Sequence, residues 1–183
     1  MKYVSLIRHR FVRIYQSYFP KALTEVEHQL IRDSLSSELQ ALFYAQPLCD
    51  QRHGLLVFDK CKNIFSREQE SPSEYELMLA SFFHDVAKKD CRFSVSQRVI
   101  VATLLIFIPV RKHEGLRNSR SKFKRRIGIY VDHAELSWEI LQKYTDSEFV
   151  RQATVFHHGE PEGESPSTDQ TRNVELFVLA DTL

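Results

Sequence analysis

The sequence has few of the features that mark secreted or nucleic-acid-binding proteins. It contains three cysteines in 183 residues and no CxxC pair. This excludes a disulfide framework, argues against thiolate metal ligation, and is typical of reduced thiols in a cytosol-like compartment. The net charge is +1, so no global field attracts the chain to nucleic acid or lipid. Any electrostatic recognition must therefore be local.

Long hydrophobic runs are also missing. The longest uncharged apolar run, VIVATLLIFIPV at 99–110, includes a proline and falls short of the roughly 20 residues that a membrane span needs. Arg8, Arg10 and Arg13 interrupt the N-terminal segment and argue against a signal peptide, although its basic, aromatic character leaves peripheral membrane contact as a lesser alternative. The length suits one cytoplasmic domain with its own core, and the sequence leaves the oligomeric state open.

Strand-like alternation is scarce, whereas helix-start signals recur. TEVE at 24–27 and SELQ at 37–40 fit the capping-box pattern, SPSE at 71–74 offers a cap followed by proline, and Asp50 and Asp132 are further caps. We therefore predict an all-α fold, a compact bundle of about seven to eight helices. After the helices opening at 24 and 37, the predicted helices cover 51–65, 72–88, 99–108, 133–144, 145–158 and 172–183.

The chain divides at Pro47 and changes composition again after Pro109. We expect residues 1–46 to form a helical extension packed on a domain of residues 47–183, with an apolar and basic insertion at about 92–127. Eight Lys or Arg and one acid lie between Arg111 and Arg126, which predicts a basic loop or a loop leading into a short basic helix. Because this segment matches no nucleic-acid-binding motif, binding of nucleic acid is a lesser alternative.

Five of the eight histidines and two aspartates fall at or near the inward-facing ends of predicted helices. A lone histidine on an apolar stripe is more often a hydrogen-bonded core residue than a ligand, but burying the whole set unpaired would be costly. A shared site would remove that cost, and imidazole with carboxylate suits one or two divalent ions of Mn, Fe, Co, Ni or Zn. Two such ions are suited to phosphoester hydrolysis. The set comprises His53, His84, Asp85, His133, His157, His158 and Asp181.

The order H…HD…H…HH…D resembles the HD-domain superfamily of metal-dependent phosphohydrolases over about residues 47–183. The segments that carry the resemblance are DQRHGLLVFD, LASFFHDVAKKD, YVDHAELSWEIL, VFHHGEP and LFVLAD. The resemblance implies that His53, His84, Asp85 and Asp181 hold one metal ion, with Asp85 in a bridging position. It also implies that His133, His157 and His158 complete a second site.

The resemblance further implies hydrolysis of a phosphodiester or pyrophosphate bond in a nucleotide-type substrate by a metal-activated hydroxide. The chain departs from the pattern in reading HDVAK where cyclic-dinucleotide hydrolases have HDIGK, and in lacking their glycine-tyrosine-proline motif. It also ends two residues after Asp181, where HD domains continue, which indicates a very short last helix or a fragment. The alternatives are a non-catalytic HD module that binds a nucleotide or protein partner, and an oxygenase with a di-iron site.

Phosphate-bearing substrates need cations beyond the metal ions. Lys88 lies one helical turn after His84, so we predict that it acts with Asp85 in catalysis and also contacts substrate. Arg52 precedes a predicted ligand and is a second substrate-binding candidate. Arg125 and Arg126 are further candidates, since Arg grips phosphate in bidentate fashion, although a solvated basic loop is the alternative for this pair.

Overall fold

A computed structural model describes residues 18–105, 115–158 and 171–182. Within these ranges the regular structure is helical and includes no strand, which confirms the all-α prediction. Predictions that fall on residues 1–17, 106–114 and 159–170 lie outside the described residues, among them the helix end at Pro109 and the stop at Gly159. The helices are α1 (Glu25–Ser34), α2 (Ser37–Tyr44), α3 (Leu48–Phe65), α4 (Glu74–Phe83), α5 (Lys88–Cys91), α6 (Val95–Leu105), α7 (Lys122–Val131), α8 (His133–Leu141), α9 (Glu148–Phe156) and α10 (Thr171–Thr182), with a 3₁₀ turn at Leu116–Asn118.

Side-chain caps set several helix starts. Thr24 and Glu27 form the predicted capping box of α1. At α4 the predicted start was two residues early, because the capping box uses Ser73 and Glu76. At α9 the cap is Ser147, whose hydroxyl accepts from the amide of Val150, so this helix begins after the predicted position 145.

Two further helices begin earlier than predicted, and in both cases polar side chains near the helix start explain the difference. Asp50 does not cap a helix; both of its carboxylate oxygens accept from Nη1 of Arg98, at 2.6 and 2.9 Å, and α3 begins earlier, at Leu48. Helix α6 begins at Val95 rather than 99, since Ser94 and Gln97 exchange reciprocal hydrogen bonds at its N-terminus. The pattern SVSQ at 94–97 is the signal that sequence reasoning overlooked.

The predicted helix 72–88 breaks at the His-Asp pair. Helix α4 ends at Phe83, and a turn over 84–87 separates it from α5. Nδ1 of His84 lies 3.1 Å from the carbonyl oxygen of Ser81, the acceptor that the amide of Asp85 would use in a continuing α-helix. From Val86 onward the backbone bonds shorten to i→i−3. The break frees His84 and Asp85 from the 100° spacing of a helix.

One large core joins most helices. Its phenylalanines include Phe43 of α2, Phe58 of α3, Phe82 of α4 and Phe177 of α10, all nearly inaccessible to solvent. The predicted N-terminal extension is described over residues 18–46, and these residues share the core through α1 and α2. A smaller core lies under the predicted insertion and contains Cys91, Phe93 and Val101, with flanking apolar residues of α6 and α7. Among the described residues, no helix combines the length and apolar character needed to cross a membrane.

Gly54 is the point where α3 crosses α4. A Cβ added there would lie 3.0 Å from both the Cα of Phe82 and the carbonyl oxygen of Ser81. These are backbone atoms that cannot move aside alone, so a side chain must separate the helices. The crossing also fixes the position of His53, the preceding residue, relative to the turn after α4.

Gly54→Ala is therefore expected to destabilise the protein by about 1–3 kcal/mol through overpacking, although alanine is favoured over glycine by about 1 kcal/mol at an unconstrained helical position. Urea unfolding measures the change. Ala41→Gly, at an exposed position of α2, calibrates the intrinsic preference. A more stable Gly54→Ala variant would contradict the close crossing.

Candidate metal centre

The seven histidines and aspartates singled out from the sequence converge at one end of the bundle. They belong to two groups, and within each group the potential ligand atoms lie within 4.8 Å of one another. We name them the His53 group and the His133 group. The His53 group is His53, His84 and Asp181, and the His133 group is Asp85, His133, His157 and His158.

The His53 group joins α3, the turn after α4, and the C-terminal end of α10. Nε2 of His53 lies 2.8 Å from Oδ1 of Asp181, and Nε2 of His84 lies 3.6 Å from the same oxygen. His84 and Asp181 are buried, while His53 is partly exposed. Nε2 of His84 is buried without a hydrogen-bond partner among the described residues, so its lone pair or proton is unused by the protein.

The His133 group joins the same turn to the start of α8 and the residues after α9. Oδ1 of Asp85 lies 3.2 Å from Nε2 of His133 and 3.3 Å from Nε2 of His157. Oδ1 of Asp85 has no hydrogen-bond partner in the described structure. The Nε2 atoms also approach one another, at 3.3 Å between His133 and His157 and 3.1 Å between His133 and His158.

Backbone carbonyls fix the tautomers of three of these imidazoles. Nδ1 of His84 faces the carbonyl oxygens of Ala80 and Ser81, Nδ1 of His133 faces that of Tyr130 at 2.6 Å, and Nδ1 of His157 faces that of Thr154 at 2.7 Å. A carbonyl oxygen only accepts, so each Nδ1 carries the proton. In a neutral imidazole Nε2 is then an acceptor, which is the arrangement that metal-binding histidines use.

Three imidazoles of the centre therefore offer Nε2 acceptors, those of His84, His133 and His157. Nε2 of His133 and of His157 are acceptors that lie close to each other and to Oδ1 of Asp85. Such an arrangement is electrostatically unfavourable in a buried site unless a cation lies among the atoms. A divalent ion suited to imidazole and carboxylate meets this requirement. The buried His and Asp groups could thus hold a metal ion, as the sequence predicted, and the donor set does not fix which metal.

Lys88 places a positive charge in direct contact with Asp85. Its Nζ donates to Oδ2 of Asp85 at 2.7 Å and lies 5.8 Å from the centre of the Tyr130 ring. Burial alone would raise the pKa of Asp85, but the Lys88 ammonium and the adjacent imidazoles hold that pKa well below its ordinary value. Burial likewise opposes the charge on Lys88, yet Asp85 raises the pKa of Lys88 above its ordinary value. Both groups are charged at neutral pH.

His84 and His133 are held in their neutral form. Burial, the largest cause, lowers the pKa of His84 from 6.5 to about 3, against the opposing carboxylates. Burial and the Lys88 charge lower the pKa of His133 to about 4. Neutral imidazole is the form that binds metal ions. These two imidazoles are therefore in the metal-binding form at neutral pH.

These shifts predict that metal-free protein loses stability in mild acid. Between the ordinary pKa of 6.5 and the lowered values, the unfolded chain binds more protons than the folded one, so stability falls as pH drops below about 6.5. Each of the two imidazoles contributes a slope of up to about 1.4 kcal/mol per pH unit. Urea unfolding of chelator-treated protein between pH 7 and 5 measures it. Stability independent of pH in this range would contradict the buried neutral state.

A cavity of about 270 Å³ opens beside the centre, between α3 and α6. Arg52 and Lys88 line it as predicted for substrate-binding residues, and Arg52 also pairs with Glu27 at 2.5 Å. Sequence reasoning missed Arg98, which lines the same cavity and is anchored by Asp50. It is the one charged residue in the otherwise uncharged run 94–110, and that isolation was the available signal. The apolar wall is formed by Leu56, Val95, Val99 and Ala102.

Arg125 and Arg126 lie elsewhere. They border a separate surface depression with Arg92 and Lys122, and they do not line the cavity beside the metal centre. Nε of Arg126 donates to the carbonyl oxygen of Cys91 at 2.5 Å, and its guanidinium stacks 4.5 Å from the centre of the Phe93 ring. Arg126 thus links the C-terminal end of α5 to α7, and these structural contacts account for its position.

No family model, curated protein or solved structure matches the chain. The HD-domain resemblance is therefore a prediction from motif order.

Proposed function

We propose that the protein is a metal-dependent phosphohydrolase that acts on a phosphodiester or pyrophosphate bond of a nucleotide-type substrate. The observation that carries the proposal is the convergence of Nε2 lone pairs on Asp85, with tautomers fixed by backbone carbonyls. Divalent ions bound there would supply a nucleophile at neutral pH and offset charge on phosphoryl oxygens. His53, His84 and Asp181 would hold one ion, His133, His157 and His158 the other, and Asp85 would contact both.

The charge balance of the cavity supports an anionic substrate. Its three cations are each matched by a carboxylate of the chain, in the pairs Lys88–Asp85, Arg98–Asp50 and Arg52–Glu27. Asp181, which also lines the cavity, adds a fourth carboxylate, and the charge of two divalent ions would exceed it and leave a positive excess. A phosphate group of the substrate would neutralise this excess, with its organic part against the apolar wall.

Other residues of the chain would orient the metal-binding rings and the substrate. Carbonyl oxygens of Tyr130 and Thr154 orient the ligating rings, as outer partners do in metal sites. Lys88 and Arg98 provide hydrogen-bond donors at the cavity surface, where they can orient phosphoryl oxygens.

Hydrolysis of bis-p-nitrophenyl phosphate with added Mn²⁺, before and after chelation, tests the proposal. The expected result is turnover that requires the metal ion and is lost with chelator. Parallel reactions with p-nitrophenyl phosphate separate diester from monoester hydrolysis. Binding of nucleotides without turnover of either ester would favour the non-catalytic binding module instead.

A further inference from the structure

The two oxygens of Asp85 face different surroundings. Oδ1 faces the His133 group, whereas Oδ2 faces Nε2 of His84 in the His53 group at 3.7 Å. Oδ2 is therefore the oxygen that an ion in the His53 group would need from Asp85. In the described structure that oxygen already accepts a hydrogen bond from the Lys88 ammonium, with Nζ at 2.7 Å.

We infer that Lys88 competes with a metal ion for Oδ2 of Asp85 and makes the His53 group the weaker of the two metal sites. The inference rests on the proposed metal-dependent function and adds an order of loading to it. An ion in the His133 group uses Oδ1 and three imidazoles, and no ammonium contacts that oxygen among the described residues. An ion in the His53 group receives Oδ2 only when Lys88 moves away.

Charge repulsion explains why the Lys88 ammonium and a divalent ion exclude each other at Oδ2 of Asp85. An ammonium and a divalent ion on the same carboxylate oxygen repel each other in a site from which most water is excluded. The Lys88 side chain is 13% exposed and lines the cavity, so rotation about its flexible stem carries Nζ from Asp85 into the cavity. A phosphate in that cavity would accept the displaced ammonium. Binding of a metal ion in the His53 group and binding of the substrate phosphate by Lys88 would then favour each other.

Titration of chelator-treated protein with Mn²⁺ by calorimetry tests the inference. The wild type is expected to bind two ions with unequal affinity. Lys88→Met keeps the apolar stem and removes the charge, and it should tighten the weaker site at least tenfold while leaving the tighter site unchanged. Lys89→Met, which removes the neighbouring ammonium paired with Asp90, is the matched control and should resemble the wild type.

Two further variants assign the sites and guard against misfolding. His53→Ala should eliminate the weaker site alone; loss of the tighter site would overturn the assignment. Lys88→Gln, which retains a hydrogen-bonding group, should also tighten the weaker site, so the result does not depend on one variant folding. Two ions bound with wild-type affinities in the folded Lys88 variants would overturn the inference and leave the proposed function intact. No Mn²⁺ bound by any variant would overturn both.

Discussion

Asp85→Asn is expected to abolish Mn²⁺-dependent hydrolysis of bis-p-nitrophenyl phosphate while leaving the helices folded. The substitution keeps the size of the side chain but removes the charge that contacts Lys88 at Oδ2 and faces the His133 and His157 imidazoles at Oδ1. Loss of an outer-shell partner of a metal costs about 10- to 100-fold in activity. Loss of a shared carboxylate ligand should cost more, and kcat should fall by more than about 100-fold.

Asp90→Asn is the matched control for this variant. Asp90 lies on the adjacent single-turn helix α5, is exposed, and pairs with Lys89 rather than with the centre. Its replacement should leave kcat within about twofold of the wild type, because exposed ion pairs contribute little. Circular dichroism checks that both variants fold. Hydrolysis by Asp85→Asn at the wild-type rate would remove Asp85 from the mechanism.

Addition of Mn²⁺ to chelator-treated protein should raise the melting temperature markedly. An ion that binds only the folded state adds about 2.7 kcal/mol at a concentration 100 times its Kd. For a chain of this size that corresponds to an increase of about 5–10 °C. The increase arises because a bound ion relieves the convergence of lone pairs at the buried Nε2 atoms and at Asp85.

Replacement of His84 should remove the part of this stabilisation that an ion in the His53 group contributes. His84→Phe keeps a ring against Phe177 and His157 but lacks the Nε2 lone pair. His28→Phe is the control, since His28 is bonded to the hydroxyl of Tyr44 on the α1–α2 side of the molecule. Differential scanning fluorimetry with and without Mn²⁺ compares the variants. An equal shift in His84→Phe and wild type would indicate that Mn²⁺ does not bind in the His53 group.

Motif order predicted which side chains would converge because all seven lie on the apolar side, at or near the ends of predicted helices. Burial of that many imidazoles and carboxylates in separate places would be energetically unfavourable, so the sequence favoured one shared site for all seven side chains. The structure brings all seven together and places Asp85 between His84 and the His133 group. Their roles as ligands remain a proposal.

The turn at His84 was not predictable from periodicity alone. An unbroken helix over 72–88 fits the apolar pattern, and the break depends on the ring of His84 reaching back to the Ser81 carbonyl. The pairing of Asp50 with Arg98 was hidden for a similar reason. Aspartate near a helix start predicts a cap, whereas here a residue 48 positions away takes both oxygens. Such long-range choices of partner are set by tertiary packing and not by local sequence.

The content of divalent metal per chain is the most direct test of the central claim. Elemental analysis of protein purified without chelator, compared with the Asp85→Asn variant, measures it. The account predicts up to two equivalents of a divalent transition metal in the wild type and a clear reduction in the variant. Wild-type protein that holds no transition metal, and takes up none from Mn²⁺, Fe²⁺ or Zn²⁺ solutions, would contradict the account.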